Sequence, residues 1–117
     1  MEKQILSWKP EIDEYETNKD VIVKADIPGC DKKDISIKVD NNMLTISGEK
    51  KEEKEITKKN FYYKEQRTGS FYRSVGLPNY ADISKSRATY EKGVLEIVFP
   101  KAESARVKSK KIEISGK

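Results

Sequence analysis

Apolar residues in this chain recur at every second position, in short runs. Val21, Val23, Ala25 and Ile27 alternate with Ile22, Lys24 and Asp26. Ile35, Ile37 and Val39 alternate with Ser36 and Lys38, and Leu44 and Ile46 follow the turn signal Asp40-Asn41-Asn42. Phe71, Arg73, Val75 and Leu77 share one face, Ala88 and Tyr90 another, and Val94 to Phe99 form a last run before Pro100. Successive side chains of a β-strand point to opposite faces, so a period of two places each apolar set on one side of a sheet. Several such runs, punctuated by Pro28-Gly29, Asp40-Asn41-Asn42, Pro78 and Gly93, imply an all-β sandwich or barrel. No segment carries the 3.6-residue spacing of an amphipathic helix.

Length allows one such domain: 117 residues leave no room for a second core. Charged residues make up 38% and apolar residues 35%. That balance approaches the composition of disordered chains, but the clustering of the apolar residues argues for a fold with a heavily charged surface. Histidine is absent, which removes the commonest general base and metal ligand. The one cysteine, Cys30, excludes an internal disulfide, suits a reducing cytoplasmic setting, and follows Pro28-Gly29 as a small packing residue. No phosphate-cradling glycine loop and no nucleophile–base pair occurs, so neither an enzyme nor a cofactor nor a metal is expected. Asp26 and Asp34 read as turn or surface residues. No apolar stretch approaches the roughly 20 residues of a membrane span, and no signal peptide is apparent, so no membrane partner is expected. The 24 basic and 20 acidic residues are interspersed and net only +4, unlike a nucleic-acid binder. Phe61, Tyr62, Tyr63 and Lys64 imitate an oligonucleotide-stacking surface, but no second strand repeats the pattern.

Two regions do not fit a small sandwich. Nine of the twelve residues from Glu49 to Asn60 are charged, and Phe61-Tyr62-Tyr63 follow. A solvated loop is one reading. A connection of some twenty residues needs a reason, however, and aromatics at its far end point to an arm that docks. The second region follows Pro100. It is polar and basic until Ile112-Glu113-Ile114, an apolar pair at strand spacing.

From Trp8 to Pro100 the chain resembles the α-crystallin domain of small heat-shock proteins. The resemblance rests on Trp8-Lys9-Pro10-Glu11-Ile12-Asp13-Glu14-Tyr15-Glu16-Thr17, Ala25-Asp26-Ile27-Pro28-Gly29, Asp34-Ile35 and Leu44-Thr45-Ile46-Ser47-Gly48-Glu49, in that order. Glu65, Gly69, Phe71, Arg73, Leu77 and Pro78 continue it. Ala88 with Gly93-Val94-Leu95 carries its most specific signature, and Ile112-x-Ile114 matches the family's tail motif.

The resemblance implies an immunoglobulin-like sandwich of two antiparallel sheets over 8–100. Before it stands a short N-terminal remnant, 1–7, and after it a flexible extension, 101–117. It implies a homodimer of the bacterial, archaeal and plant type. In that type the long loop 49–69 carries a strand that is swapped onto a second copy near Ile12–Glu16. Ile12, Tyr15, Phe61, Tyr62, Tyr63 and Arg73 would form that interface, with Arg73 paired to a carboxylate. A groove lined by Ile35, Ile37, Val39 and Ile83, between the strands at 35–39 and 83–90, would accept Ile112 and Ile114 of a neighbouring dimer or a client. The implied activity is an ATP-independent holdase that binds partly unfolded proteins. The rival, a monomeric co-chaperone sandwich, lacks the long arm and the Ile-x-Ile tail. Two departures stand out. Only seven residues precede Trp8, where the family carries a longer apolar arm. Gln66 occupies a position often held by arginine, with Arg67 beside it.

Overall fold

A computed structural model describes residues 2–58, 61–105 and 112–116, leaving aside the side chains of 2–7, 51–56, 61 and 63–68. The alternating runs become strands: β1 (Glu2–Trp8), β2 (Ile12–Glu16), β3 (Asp20–Asp26), β4 (Ile35–Asp40), β5 (Met43–Lys58), β6 (Phe61–Gly76), β7 (Arg87–Glu91) and β8 (Val94–Pro100). They form two four-stranded sheets, ordered β1-β6-β5-β4 and β2-β3-β8-β7. Neighbours are antiparallel, except that β1 joins β6 in parallel at the edge of the first sheet.

The period of two fixes what lies between the sheets. Val21, Val23, Ala25, Leu95, Ile97 and Phe99 of one sheet meet Leu44, Ile46 and Phe71 of the other, all buried in one cluster with Ile27 and Leu77. Each of the larger side chains among them contributes about 1.5–3 kcal/mol on leaving water. Gly48 makes one contact possible. A Cβ there would stand 2.4 Å from the Asp34 carbonyl oxygen and 2.5 Å from the Phe71 ring, so only glycine lets Phe71 lie across β5. Two hairpin turns follow their residues. Asn41 and Asn42 (φ 49° and 60°) join β4 to β5, and Lys92 and Gly93 (φ 50° and 80°) join β7 to β8. Paired positive φ values match the right-handed twist of the flanking strands.

Two stretches differ from expectation. Residues 49–69, expected as a long loop, prolong β5 and β6 into one ribbon paired from Met43↔Gly76 to Lys58↔Phe61. Sixteen residues at about 3.4 Å each make a ribbon roughly 54 Å long. The molecule extends 92 Å along its long axis. Its radius of gyration is 21.3 Å, where a compact domain of this length has about 13 Å. The register supplies a cause: Glu52 stands across from Arg67, Lys54 from Glu65, Glu55 from Lys64, and Ile56 from Tyr63. Opposite charges and β-branched–aromatic pairs across strands favour pairing. Part of a charge run that looked like loop, Glu52, Lys54 and Glu55, therefore stands across from opposite charges. The second difference is β1. Residues before Trp8, expected as a remnant, pair with β6 from Glu2↔Glu65 to Trp8↔Phe71. β1 and β2 are separated at buried Pro10, which has no N–H to donate to a ladder.

Candidate functional site: two open edges and a tail

The short link 9–11 carries the chain from the first sheet to the second. It ties both sheets on one side: Arg73 Nη1 donates to the Pro10 carbonyl at 3.0 Å, and the Asp26 N–H donates to the Glu11 carbonyl at 3.0 Å. On this side lies β2, whose edge away from β3 carries no strand among the described residues. The opposite side is bounded by β4 and β7, the outermost strands of their sheets, which do not pair with each other.

The β4/β7 side holds the residues expected to line a groove. Ile35, Ile37 and Val39 alternate along β4 as half-buried side chains packed on the core. Ile83 lies in the single 3-10 turn before β7 and is half-buried too. Asp82 holds that turn by accepting from the Ser84 N–H (3.1 Å) and hydroxyl (2.6 Å). Tyr90 sets where β4 begins relative to β7. Its hydroxyl donates to the Ile27 carbonyl and accepts from the Cys30 N–H at 3.3 Å, clasping the Pro28-Gly29 turn. Cys30 packs against the core, and its Sγ donates to the Glu49 carbonyl at 3.3 Å. Burial, followed by the Asp34 charge, pushes its thiol pKa up, which favours the protonated thiol.

On the β2 side, Ile12 is half-buried against the core, while Tyr15 is exposed with the Lys24 ammonium 5.6 Å from its ring centre. Lys24 also pairs with Glu96 at 3.6 Å. Arg73 lies on the core face of β6, opposite Ile46, as the alternation requires. Within the chain, its described hydrogen bond is the one to the Pro10 carbonyl. Tyr62 is exposed near the ribbon's end; Phe61 and Tyr63 flank it in β6, and their side chains lie outside the described set.

Sequence reading missed one cluster. Lys101, directly after β8, is only 8% exposed. Its ammonium lies 3.3 Å from the Glu16 carboxylate and 5.5 Å from the centre of the Tyr80 ring, and the Tyr80 hydroxyl donates to Glu16. The backbone holds the cluster: the Lys101 N–H donates to the Lys19 carbonyl (2.7 Å), and the Ala102 N–H to that of Tyr80 (2.8 Å). The Tyr80 bond, assisted by Lys101 against desolvation, holds the Glu16 carboxyl below its usual range and pushes the Tyr80 phenol up. The root of the C-terminal extension is thus fastened to the end of β2. No residue spacing announces this, because three distant segments supply it.

Beyond that root, Ile112 and Ile114 are 81% and 99% exposed and seated against no described surface. Among the described residues, no group of acidic or cysteine side chains is arranged to hold a metal, and no helix is long and apolar enough to cross a membrane.

The Hsp20/alpha crystallin family matches residues 13–115. Small heat shock protein C2 of Rickettsia felis is 39% identical over 107 residues, covering 92% of this chain and 68% of the relative. The 16.9 kDa class I heat shock protein 3 of Oryza sativa is 38% identical, covering 90% and 71%. Heat shock protein 16.0 from Schizosaccharomyces pombe superposes with a TM-score of 0.71 at 35% identity, over 94% of this chain and 99% of that one. A small heat-shock protein from Xylella fastidiosa superposes with a TM-score of 0.64 at 32% identity, over 93% and 98%.

Proposed function

Because the chain belongs to the Hsp20/alpha crystallin family, a family of chaperones and not of enzymes, we propose that it is an ATP-independent holdase. It captures the apolar surface of partly unfolded proteins in the cytoplasm, in competition with their aggregation. The observation that carries this reading is the pairing of an apolar half-buried edge with an apolar tail that is left in water. Ile35, Ile37, Val39 and Ile83 line the one; Ile112 and Ile114 form the other. At strand spacing both isoleucines present the same face, so one slot takes both.

The homodimer is the basic unit. The ribbon end around Phe61–Tyr63 adds a strand to the open edge of β2 in a second copy, meeting Ile12 and Tyr15. Arg73 lies beneath that interface and braces the link beside it. Unpaired strand edges favour such addition. The tail joins dimers into larger assemblies by seating Ile112 and Ile114 in a neighbour's β4/β7 groove. Burying two isoleucines contributes about 3–6 kcal/mol before the tail's ordering entropy is subtracted. The small net gain makes each contact reversible, and several contacts in one assembly reinforce each other through effective concentration.

The test is a light-scattering assay on a heat-unfolding client without nucleotide. The protein should suppress aggregation at near-stoichiometric amounts, and an apolar client peptide should bind more tightly to the Ile112→Ala/Ile114→Ala variant than to the parent. Undiminished aggregation at molar excess overturns the reading. Equal peptide affinities overturn the role of the tail.

A further inference from the structure

The Glu16–Tyr80–Lys101 cluster takes one residue from each of the three segments that the proposed assembly uses. Glu16 ends β2, the open edge assigned to a second copy's ribbon. Tyr80 stands three residues before Ile83 of the groove, and Lys101 is the root of the tail. The Tyr80 hydroxyl donates to the Glu16 carboxylate, and the Lys101 ammonium pairs with the same carboxylate at 3.3 Å. One carboxylate therefore holds both other segments.

The backbone makes these segments move together. Ala81 is buried, its N–H donates to the Pro78 carbonyl at 3.1 Å, and it bridges Lys101 in antiparallel fashion. The Asp82 N–H donates to the Pro100 carbonyl at 2.8 Å, so the lead into Ile83 is stitched to the end of β8. On its other side Lys101 is bonded to Lys19, in a turn closed by the Thr17 N–H on the Asp20 carbonyl at 2.9 Å. The ion pair is unevenly hydrated: the Lys101 side chain is 9% exposed and that of Glu16 40%. A strand laid on the edge of β2 takes Glu16 further out of water, and attraction between the two charges grows as water leaves.

We propose that this cluster couples the dimer edge to the groove and the tail root, so that a copy with a partner strand on β2 binds a tail more tightly than a copy without one. This rests on the strand-exchanged dimer and the tail–groove contact above, and adds how the first contact regulates the second. Glu16, Tyr80 and Lys101 are positioning residues here: they touch neither tail nor client and act through the segments they join. Coupling between two sites is reciprocal, so a tail in the groove must tighten the dimer by the same factor.

The test uses the full-length Ile112→Ala/Ile114→Ala chain, whose groove is free of its own tail, and a synthetic peptide of residues 108–117. Peptide affinity is measured below and above the dimer dissociation constant, which sedimentation supplies. The dimer should bind the peptide at least about fivefold more tightly than the monomer, and saturating peptide should tighten the dimer by the same factor. Tyr80→Phe, added to this chain, keeps the ring beside the Lys101 ammonium and removes the bond to Glu16. It should bring the ratio of dimer to monomer affinity to within about twofold of unity. Lys101→Met, which keeps the stem and removes the charge, should do the same. A merely structural loss would weaken both affinities alike and leave their ratio at the parental value. Equal affinities of monomer and dimer before these changes, or a parental ratio in both variants, overturn the coupling. A variant lacking 51–64 examines the layer beneath. Monomers uphold strand exchange whatever the ratio; persistent dimers, or a peptide that binds neither form, remove the readings on which this inference rests.

Discussion

The two ends of β6 obey different rules. Toward its C-terminus, Phe71 and Leu77 face the second sheet and are buried. Arg73 and Val75 lie half-buried between them on the same face. Toward its N-terminus the same strand leaves the sandwich, and its register sets Lys64, Glu65 and Arg67 across from Glu55, Lys54 and Glu52. The first end is held by removing apolar surface from water. The second rests on strand propensity and cross-strand charge, worth only about 0.2–1 kcal/mol per pair.

The contrast is broken most severely in the body. Ile46→Ala removes a fully buried side chain from β5, opposite Arg73, and should cost about 2–5 kcal/mol in denaturant unfolding. Thr57→Ala, on the exposed ribbon and outside the proposed interface, should move the same curve by no more than about 0.5 kcal/mol. Equal losses would mean that the ribbon is part of the folding core. A smaller effect is expected at the seam between the regions. Arg73→Met deprives the Pro10 carbonyl of its donor and should cost about 1–2 kcal/mol. An unchanged melting curve would show that the link 9–11 needs no such brace.

The smallest effect is read against pH. The Glu16 carboxyl is held low mainly by the Tyr80 hydroxyl. A depressed folded-state pKa gives stability that is complete above the ordinary carboxylate range and lost as pH falls through the folded value. Melting temperature should therefore decline on acidification, and Glu16→Gln should flatten part of that decline. Identical pH profiles for parent and variant would sever the tail root from β2.

The strands of the body and both hairpin turns were legible because alternation and turn chemistry are local. Val21, Val23 and Ala25 declare their face within five residues, and Asn41-Asn42 and Gly93 declare theirs within two. Ile35, Ile37 and Val39 declare their face of β4 in the same local way, and they and Ile83 are half-buried against the core. The ribbon was not legible. Glu49–Lys58 reads as a solvated run until Phe61–Ser70 is laid antiparallel beside it, and only then do Glu52, Lys54 and Glu55 stand across from opposite charges.

The sandwich and its inward face follow from local pattern, since a two-residue period and a positive-φ turn depend on nothing beyond their neighbours. How the edges are finished follows from packing alone. The parallel seat of β1 on β6, the carbonyl that Arg73 reaches, and the Glu16–Tyr80–Lys101 cluster each join segments far apart along the chain. Hydrogen bonds and ion pairs are specified by position in space, and a linear pattern carries no signal of that until the sheets have packed.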